Sequence, residues 1–598
     1  MRIGLLTEGG YPYVSGDAVL WCDRLVRGLG QHEFDIYALS RSERQEDEGW
    51  VALPPHVDRV RTAPLWSAEC DGVVYGRRAR RRFAEAYGEL VAALCQGDAS
   101  DPLAGSSGAE ADRFGYALYG LAELARDEGG LMGALRSEHA VRTLERACRA
   151  PGALRTAREA RVPELLAVAD HIERALRPLS LDWYEEDGLG AVDLCHATSG
   201  GAAALPGLLA RHFSGVPLLV TEYGVRLRSH YLASGAGASG AGTSGESAGP
   251  GGSGAPGAPG APGEATGAAP AVRALLAVFH GGLAAEVYRQ AAFVTSGNAH
   301  ARRWQERCGA DRAKLRTVHP GMDASRFADV GESPDAAEPN TLVWMGRVEP
   351  AKDLVSLLHA FAKVREGEPK ARLRIVGAPA GAEGAAYLGH CKALAAQLFP
   401  DEAEGPHAVG DNPVSFEEIG GPEAPTPADA YASGAVIVLS SVVEGFPIGL
   451  AEAMFCGRAT VSTDVGAVVE VIGGTGLVVP PRNPRALAEA CVALLRDPER
   501  RARLGAAARA RALELFTVEQ NITAFHGIYL EIVSRCPVTR AALEGSGDPQ
   551  PFAVPAEAHL PGRWADPVAR VAARGGQGGT AQPPVTATAG NPAVEAAR

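Results

Sequence analysis

The chain has 598 residues, of which 46% are hydrophobic, and its formal net charge is −13. This length exceeds one ordinary hydrophobic core, so we predict two large domains. The negative charge argues against a general nucleic-acid binder, because affinity for phosphate backbones needs clustered cations.

The first predicted strand covers residues 2–7, which leaves no room before it for a secretory signal peptide and predicts a cytoplasmic protein. A Gly-rich stretch with Gly9, Gly10 and Gly16 follows, and an amphipathic helix is predicted from about residue 18 to residue 30. A Gly-rich turn between strand and helix lets the backbone approach a phosphate or an acceptor closely. The alternative is that it serves only as a turn.

A basic cluster stands out in this acidic background. It consists of Arg77, Arg78, Arg80, Arg81 and Arg82. Such a run is most simply a solvated helix face. The alternative is a contact with anionic lipid headgroups, which attract clustered arginines, although Glu85 and Glu89 weigh against it.

Four segments depart from the pattern of a compact domain. Residues 100–180 are rich in Ala, Leu and Arg at helical spacing and predict a helical insertion in the first domain. Residues 233–271 and 546–598 are dominated by small residues and Pro, which predicts a disordered loop and a disordered tail. Residues 331–340 are predicted to link the two domains.

Three further polar residues of the first half are possible site residues. His196 ends a predicted strand and is either structural or part of a sugar site. Glu222 and Tyr223 lie in the stretch from Leu219 to Arg228. We keep these three as possible site residues.

The second half opens with a predicted strand at residues 341–345, a loop, and an amphipathic helix that begins at Asp353. Arg347 and Lys352 lie on that loop. Arg offers a planar fork of donors and Lys a compact charge, so together they can neutralise a diphosphate. The alternative is two exposed cations.

Two carboxylates stand eight residues apart around a further strand end. The apolar run 436–439 predicts a buried parallel strand, Glu444 follows it, and Pro447 prevents a helix from including Glu444. A helix can begin near Ile448, which places Glu452 in its first turns beside unpaired backbone N–H groups. Two hydroxyl-binding carboxylates around an anion site match the layout of a nucleotide-sugar. The alternative is two solvated surface glutamates.

Short apolar strands alternate with helical segments along the second half. A strand at 372–376, for example, ends in Gly377. This alternation predicts the α/β class with doubly wound parallel sheets, whose ligands sit at the carboxyl ends of strands.

These motifs resemble a known family. Glu444-x7-Glu452, together with Gly346-Arg347 and Lys352, resembles the donor site of retaining GT-B glycosyltransferases of family 4. The opening run from Glu8 to Val14, Glu-Gly-x-Tyr-Pro-Tyr-Val, resembles the PelF-like branch of that family, which is linked to exopolysaccharide synthesis. The resemblance spans about 1–40, 190–232 and 272–535.

The resemblance implies a GT-B fold, in which two Rossmann-like domains face a central cleft. Residues 1–330 form the acceptor-side domain and 341–545 the donor domain on this reading. It also implies transfer with retention from a nucleotide-sugar, such as UDP-glucose, to a saccharide or glycolipid acceptor. Association with the inner face of a membrane or with a polysaccharide-synthesis complex is part of this expectation.

Site roles follow from the resemblance residue by residue. Arg347 and Lys352 are expected to hold the diphosphate, Glu444 the donor-sugar hydroxyls and Glu452 the ribose, while the base sits by Gly377. Further phosphate contacts are expected from Gly9, Gly10 and the backbone of Phe446, Pro447, Ile448, Gly449 and Leu450.

Neither a metal nor a cofactor is expected. The sequence has no Asp-x-Asp triplet, the metal signature of GT-A transferases, and no closely spaced Cys/His set. The ten cysteines stand singly, which predicts free thiols in a reducing compartment. No apolar run approaches the roughly 18 residues that a membrane-spanning helix needs.

Two alternative functions stay open. Related sequences often have His where this chain has Tyr223, so the chain is alternatively a catalytically weak nucleotide-sugar-binding subunit of a synthesis complex. The other alternative is a GT-B phosphorylase or synthase that acts on a small sugar.

Overall fold

The computed structural model describes residues 1–14, 19–67, 71–96, 108–185, 187–230, 269–332, 338–400 and 412–536. Three of the sequence predictions fall largely or wholly outside these residues: the site residue Gly16, the loop 233–271 and the tail 546–598.

Seven parallel strands form the first sheet, in the order β3-β2-β1-β4-β5-β6-β7. They are β1 (Arg2–Glu8), β2 (Glu33–Ser40), β3 (Val57–Pro64), β4 (Leu194–Ala197), β5 (Leu218–Glu222), β6 (Phe293–Ser296) and β7 (Leu315–Thr317). Strands β4, β5 and β6 are buried at every position, as expected for a sheet that helices cover on both faces. We call the part of the chain built on this sheet the first lobe.

Six parallel strands form the second sheet, in the order β10-β9-β8-β11-β12-β13. They are β8 (Glu338–Met345), β9 (Arg372–Val376), β10 (Val414–Glu417), β11 (Gly434–Leu439), β12 (Ala459–Thr463) and β13 (Leu477–Val479). Strand β8 takes in residues 338–340 of the segment predicted as a linker. We call the part built on this sheet the second lobe.

Helices connect the strands in both lobes. Those in the first half are α1 (Val19–Gly28), α2 (Glu43–Asp47), α3 (Arg77–Gln96), α4 (Gly108–Glu128), α5 (Leu131–Leu135), α6 (Glu138–Cys148), α7 (Arg155–Arg158), α8 (Val162–Leu176), α9 (Ala204–Ser214), α10 (Pro270–Gln290), α11 (Ala299–Arg307) and α12 (Ala328–Glu332). Those in the second half are α13 (Leu354–Gly367), α14 (Gly381–Leu398), α15 (Pro427–Ser433), α16 (Ile448–Phe455), α17 (Val468–Ile472), α18 (Pro484–Arg496), α19 (Pro498–Leu515) and α20 (Val518–Arg535). The predicted insertion at 100–180 therefore contains five of these helices, α4 to α8.

The last helix returns to the first lobe. Phe525, Ile528 and Tyr529 of α20 share one apolar cluster with Ile3 of β1 and Leu25 of α1. A methyl group added at Gly28 would meet the side chain of Ile522, so α1 and α20 are in close contact. The last helix that the structure describes therefore packs against α1 and β1 of the first lobe.

Helix α10 is long and apolar enough to cross a membrane by length and composition alone. However, 61% of its most apolar 18-residue window is buried inside the fold. Leu275, Phe279 and Leu283 belong to the main apolar cluster of the first lobe. This is the packing of a core helix.

The predicted α/β architecture with two doubly wound parallel sheets is confirmed. In each sheet the strand order reverses beside the first strand, between β1 and β4 and between β8 and β11. Ligands of doubly wound sheets bind at the carboxyl ends of strands next to such a reversal. Arg228 follows β5, and its side chain donates a hydrogen bond to the backbone carbonyl of Glu444, which follows β11. The carboxyl edges of the two sheets therefore face each other.

Candidate active site

Lys352 and Glu444 meet at the carboxyl edge of the second sheet. Lys352 lies after β8 and Glu444 after the neighbouring strand β11, and Lys352 Nζ lies 2.5 Å from Glu444 Oε1. The same oxygen accepts a hydrogen bond of 2.7 Å from the Ser441 hydroxyl. Among the described residues no donor reaches Glu444 Oε2. The pair is thus held in place while one carboxylate oxygen is left for a ligand hydroxyl.

Local backbone geometry fixes the loop that carries Lys352. Asp353 adopts the left-handed conformation, with φ of 48°, and its side chain accepts from the Ser356 N–H, which caps α13. The Lys352 carbonyl accepts from the Ser440 hydroxyl at 2.7 Å, and the Ala351 carbonyl accepts from Val442 N at 2.9 Å. These bonds join the loops after β8 and β11 into one surface.

Arg347 lies on the same loop, and its side chain is exposed. Within the part of the chain that the structure describes, it makes no hydrogen bond or ion pair. Its guanidinium is therefore available to an anion, and the predicted pairing with Lys352 on a diphosphate stays a prediction. A planar fork next to a compact charge suits a diphosphate.

Glu452 lies on α16 and accepts a hydrogen bond of 2.9 Å from the hydroxyl of Tyr431. Burial raises the pKa of Glu452, and this hydrogen bond and the charges of Arg326 and Arg24 oppose the rise. Arg24 belongs to α1, and its side chain donates to the Gly321 carbonyl at 3.0 Å. The first lobe therefore contributes a cation to the electrostatics of Glu452.

The start of α16 offers fewer free N–H groups than the sequence suggested. Pro447 has no N–H, and the N–H groups of Ile448 and Leu450 already donate to the carbonyls of Phe446 and Pro447 at 3.0 and 3.1 Å. In this segment of five residues, the backbone N–H groups of Phe446 and Gly449 have no hydrogen-bond acceptor within the described part of the chain. These two N–H groups are therefore the ones that remain available for the expected phosphate contacts.

Two of the predicted glycines have backbone roles that differ from direct ligand contact. The N–H of Gly9 donates to the Leu39 carbonyl at 2.7 Å, so this group is already hydrogen-bonded within the protein and the phosphate contact expected of Gly9 stays a prediction. Gly377 donates to the Glu417 carbonyl at 2.8 Å, and a methyl group at Gly377 would lie 1.8 Å from the Gly346 carbonyl oxygen. Gly377 therefore lets β9 approach the loop that carries Arg347.

The structure does not test whether Gly10 contacts a phosphate or whether a nucleotide base binds beside Gly377. Gly10 is buried, and its carbonyl accepts from Tyr13 N at 3.0 Å. A small crevice beside Gly377 is lined by Val348, Phe416 and Glu418, among others. Binding of the nucleotide base in this crevice stays a prediction.

His196 does not reach the candidate site. It is fully buried, with Nδ1 2.7 Å from the Tyr529 hydroxyl on α20 and Nε2 2.7 Å from the Thr221 hydroxyl on β5. Burial lowers the pKa of His196 to about 3, so the ring is neutral near pH 7. Of the two interpretations of this residue, the contacts favour the structural one.

Glu222 and Tyr223 also form hydrogen bonds with other residues of the protein. Glu222 accepts from the Gly200 N–H at 3.0 Å and from the Tyr288 hydroxyl, and burial raises its pKa. The Tyr223 hydroxyl accepts from the Asn521 side chain at 3.1 Å, and Asn521 also donates to the His319 carbonyl at 2.7 Å. Tyr223 is therefore part of the junction between α20 and the chain that leads into the second lobe.

The sequence predictions missed Arg226 and Arg228, which follow β5. Arg228 Nη2 donates to the Glu444 carbonyl at 3.0 Å, and Arg226 Nη1 lies 2.6 Å from Glu8 Oε1 at the end of β1. Two arginines spaced two residues apart just after a strand are a visible signal. The contact of Arg228 depends on how the two sheets face each other, and a single sequence does not show that.

No group of three or more His, Cys, Asp and Glu side chains that could hold a metal ion occurs in the described ranges.

Two family models match the chain. Residues 1–313 match the model described as a domain of unknown function, DUF3492. Residues 339–497 match the model described as Glycosyl transferases group 1, and this segment carries Arg347, Lys352, Glu444 and Glu452.

The chain is also similar to curated proteins over part of its length. It is 31% identical over 244 residues to a D-inositol 3-phosphate glycosyltransferase of Streptomyces bingchenggensis, a match that covers 37% of this chain and 49% of that protein. It is 31% identical over 240 residues to the protein of the same name from Kineococcus radiotolerans, covering 37% and 52%. The chain thus spans about half the length of the curated relatives it matches.

Two solved structures show a weaker likeness. HepE of Anabaena in complex with UDP and glucose has a TM-score of 0.47 at 13% identity, over 89% of this chain and 100% of that one. Sucrose-phosphate synthase of Thermosynechococcus elongatus has a TM-score of 0.49 at 16% identity, over 89% and 99%. Both scores are too low to carry an argument about ligands. The first family model, in contrast, covers 313 of the 598 residues, and the chain therefore belongs to the family of the domain of unknown function DUF3492.

Proposed function

We propose that this chain is a retaining glycosyltransferase that takes its sugar from a nucleotide-sugar. The observation that carries the proposal is the meeting of Lys352 and Glu444 at 2.5 Å on the carboxyl edge of the second sheet, with the exposed cation of Arg347 on the same loop. Cations for a diphosphate and a carboxylate for sugar hydroxyls thereby occupy one surface. The match of residues 339–497 to the group 1 glycosyl transferases supports it.

In the proposed reaction the acceptor hydroxyl oxygen bonds to the anomeric carbon on the face that the leaving group occupies. The bond from that carbon to the phosphate oxygen breaks, and the nucleoside diphosphate leaves with the electron pair. The acceptor proton passes to a phosphate oxygen. Arg347 and Lys352 stabilise the charge that develops on the diphosphate, and this kind of stabilisation is worth several kcal/mol.

Glu444 would orient the donor sugar through Oε2, while Glu452 would bind the ribose. We propose no metal and no cofactor, because Arg347 and Lys352 would supply the positive charge that a diphosphate needs. A UDP-hexose such as UDP-glucose is the proposed donor, and a saccharide or glycolipid is the proposed acceptor. We place the chain in family 4, in its PelF-like branch, with a cytoplasmic role in polysaccharide or glycoconjugate synthesis.

The test is release of nucleoside diphosphate from UDP-, GDP- and ADP-glucose by the full chain, with and without a panel of saccharide acceptors. Release from one donor, abolished in Glu444→Gln and preserved in Glu489→Gln on the solvent side of α18, is the expected result. The configuration of the product at the anomeric carbon, read by NMR, then tests retention. Donor binding without turnover under every condition would instead favour the catalytically weak subunit.

A further inference from the structure

An exposed surface that combines apolar and basic side chains lies at the outer edge of the first lobe, after the edge strand β3. We call it the apolar–basic surface; it consists of Trp66, Val73, Val74, Arg77, Arg78, Arg80 and Arg81. Val74 is 79% exposed as a residue, and Trp66 and Val73 are 46% and 43% exposed. Val73 and Val74 are adjacent in the chain and lead directly into the arginines of α3, and contiguous exposed apolar residues of this kind are typical of an interaction site.

The loop that presents Val73 and Val74 is held by hydrogen bonds. Asp71 accepts from the N–H groups of Gly130 and Val73, at 2.5 and 3.2 Å. The Tyr75 hydroxyl donates to the Gly129 carbonyl at 2.9 Å. The exposure of Val74 is therefore set by the fold around it.

Arg77, Arg78 and Arg81 lie on the face of α3 opposite its buried stripe, and Arg80 lies at the edge of that stripe. That stripe includes Ala79, Phe83 and Leu90, which pack into the core of the first lobe. Arg77, Arg78, Arg80 and Arg81 are exposed, and none makes an ion pair with another described residue.

Neighbouring charges do not neutralise this group. Arg82 pairs with Asp127 at 3.0 Å, and Glu89 is paired with Arg113 at 3.0 Å. Glu85 is the exposed acid on the adjoining turn of α3. Asp71 and Glu128, both exposed and close to Tyr75, are two further carboxylates beside this surface. The four unpaired arginines leave it a small positive balance, on a chain whose net charge is −13.

The apolar and basic side chains of this surface together favour a lipid bilayer over a nucleic acid as the partner. A phosphate backbone would engage the arginines but would give Val73 and Val74 nothing to bury against. At a bilayer surface, valine side chains enter the acyl boundary, tryptophan lies at the headgroup level and arginines attract anionic headgroups. All three residue types of the surface then make favourable contacts at once.

We propose that the apolar–basic surface docks the first lobe on a membrane that contains anionic lipids. The residues involved are separate from Arg347, Lys352 and Glu444, so this docking does not depend on the proposed transfer reaction.

The test is co-sedimentation of the full chain with vesicles of phosphatidylcholine alone and with vesicles that contain about one third phosphatidylglycerol. We expect binding to the anionic vesicles only, weakened at least ~10-fold in the double variant Arg78→Glu/Arg81→Glu and roughly threefold or more in Val74→Ser. The matched control is Lys363→Glu/Lys370→Glu, which makes the same charge change at exposed positions of the second lobe and should bind like wild type. Circular dichroism of each variant checks that it is folded.

Three results would overturn the proposal. They are failure of the wild-type chain to bind anionic vesicles, equal losses in the arginine and lysine variants, and full binding by Val74→Ser. A competition with single-stranded RNA adds a fourth: displacement of the chain from vesicles through the same arginines, with no effect of Val74, would identify a nucleic-acid surface instead.

Discussion

At the scale of single residues, hydrogen bonds and an ion pair within the protein hold the charged side chain of Glu444 in a fixed position. Glu444 is bound through Oε1 to Lys352 and Ser441, and its backbone carbonyl accepts from Arg228 of the other lobe. Each charge-assisted hydrogen bond of this kind contributes about 1.5–3 kcal/mol when it is made. The loop that bears Glu444 therefore depends on both sheets.

Arg228 provides a direct test of this dependence. Arg228→Ala should lower kcat/KM for the donor by about 10- to 100-fold, because the lost bond to the Glu444 carbonyl is worth about 1.5–3 kcal/mol. Arg303→Ala, at an exposed position of the first lobe, is the control and should leave kcat/KM unchanged. Steady-state kinetics with a thermal melt measures both effects. Unchanged kinetics in a folded Arg228→Ala protein would contradict this account.

At the scale of elements, the turn after β12 packs against the loop that carries Glu444. Gly466 has a φ of 58°, and a methyl group there would lie 2.5 Å from the Glu444 carbonyl oxygen. The N–H of Ala467 donates to the Gly445 carbonyl at 3.1 Å. The position of Glu444 is thus coupled to a turn from a neighbouring strand.

Gly466→Ala should weaken donor binding by about tenfold or more, because the added methyl group pushes the Glu444 loop out of place. Gly474→Ala is the matched control: Gly474 also has a positive φ, of 86°, but a methyl group there meets no atom within 4 Å. Both variants carry the backbone strain, and only the first carries the contact. Calorimetric titration of both variants with the donor compares them, and equal affinities would refute the coupling.

Sequence reasoning reached the elements and the motif residues because both are local. Apolar runs such as 436–439, with a Gly or Pro turn after them, define a buried strand and its carboxyl end without knowledge of the fold. Arg347 and Lys352 follow from one such turn. The role of Gly9 did not follow, because its N–H is taken by Leu39 through the pairing of β1 with β2. Arg228 was missed because it acts across the two lobes.

At the scale of the whole molecule, α20 joins the end of the described chain to its beginning. The His196 ring, between Tyr529 of α20 and Thr221 of β5, is fully buried at this junction. Asn521 of the same helix reaches both Tyr223 and the His319 carbonyl. The junction is polar yet closed to water, so a proton added there is costly.

This junction predicts a loss of stability in acid. Burial lowers the pKa of His196 from its ordinary value of 6.5 to about 3, so the unfolded chain binds a proton between these values that the folded chain does not. The free energy of unfolding should therefore fall as the pH drops from about 6.5 towards 3, by up to about 1.4 kcal/mol per pH unit. Urea unfolding at a series of pH values measures the slope.

Two variants separate this proton from the other acid-sensitive groups. His196→Gln should be less stable than wild type at pH 7.5 but should show a slope shallower by up to one proton. Tyr529→Phe removes the hydroxyl and keeps the ring, so it should lose stability while keeping the slope. A slope in His196→Gln as steep as in wild type would show that the linked proton binds elsewhere.

The most direct test of the central claim is calorimetric titration of the full chain with UDP, GDP, ADP and their glucose conjugates. Arg347→Ala and Glu452→Ala are titrated in parallel. We expect micromolar binding of one nucleotide and its conjugate, reduced at least ~30-fold in both variants, since each removes a charged contact worth about 2 kcal/mol. Absence of binding by the folded wild-type chain, or equal binding by the variants, would contradict a nucleotide-sugar site at the carboxyl edge of the second sheet.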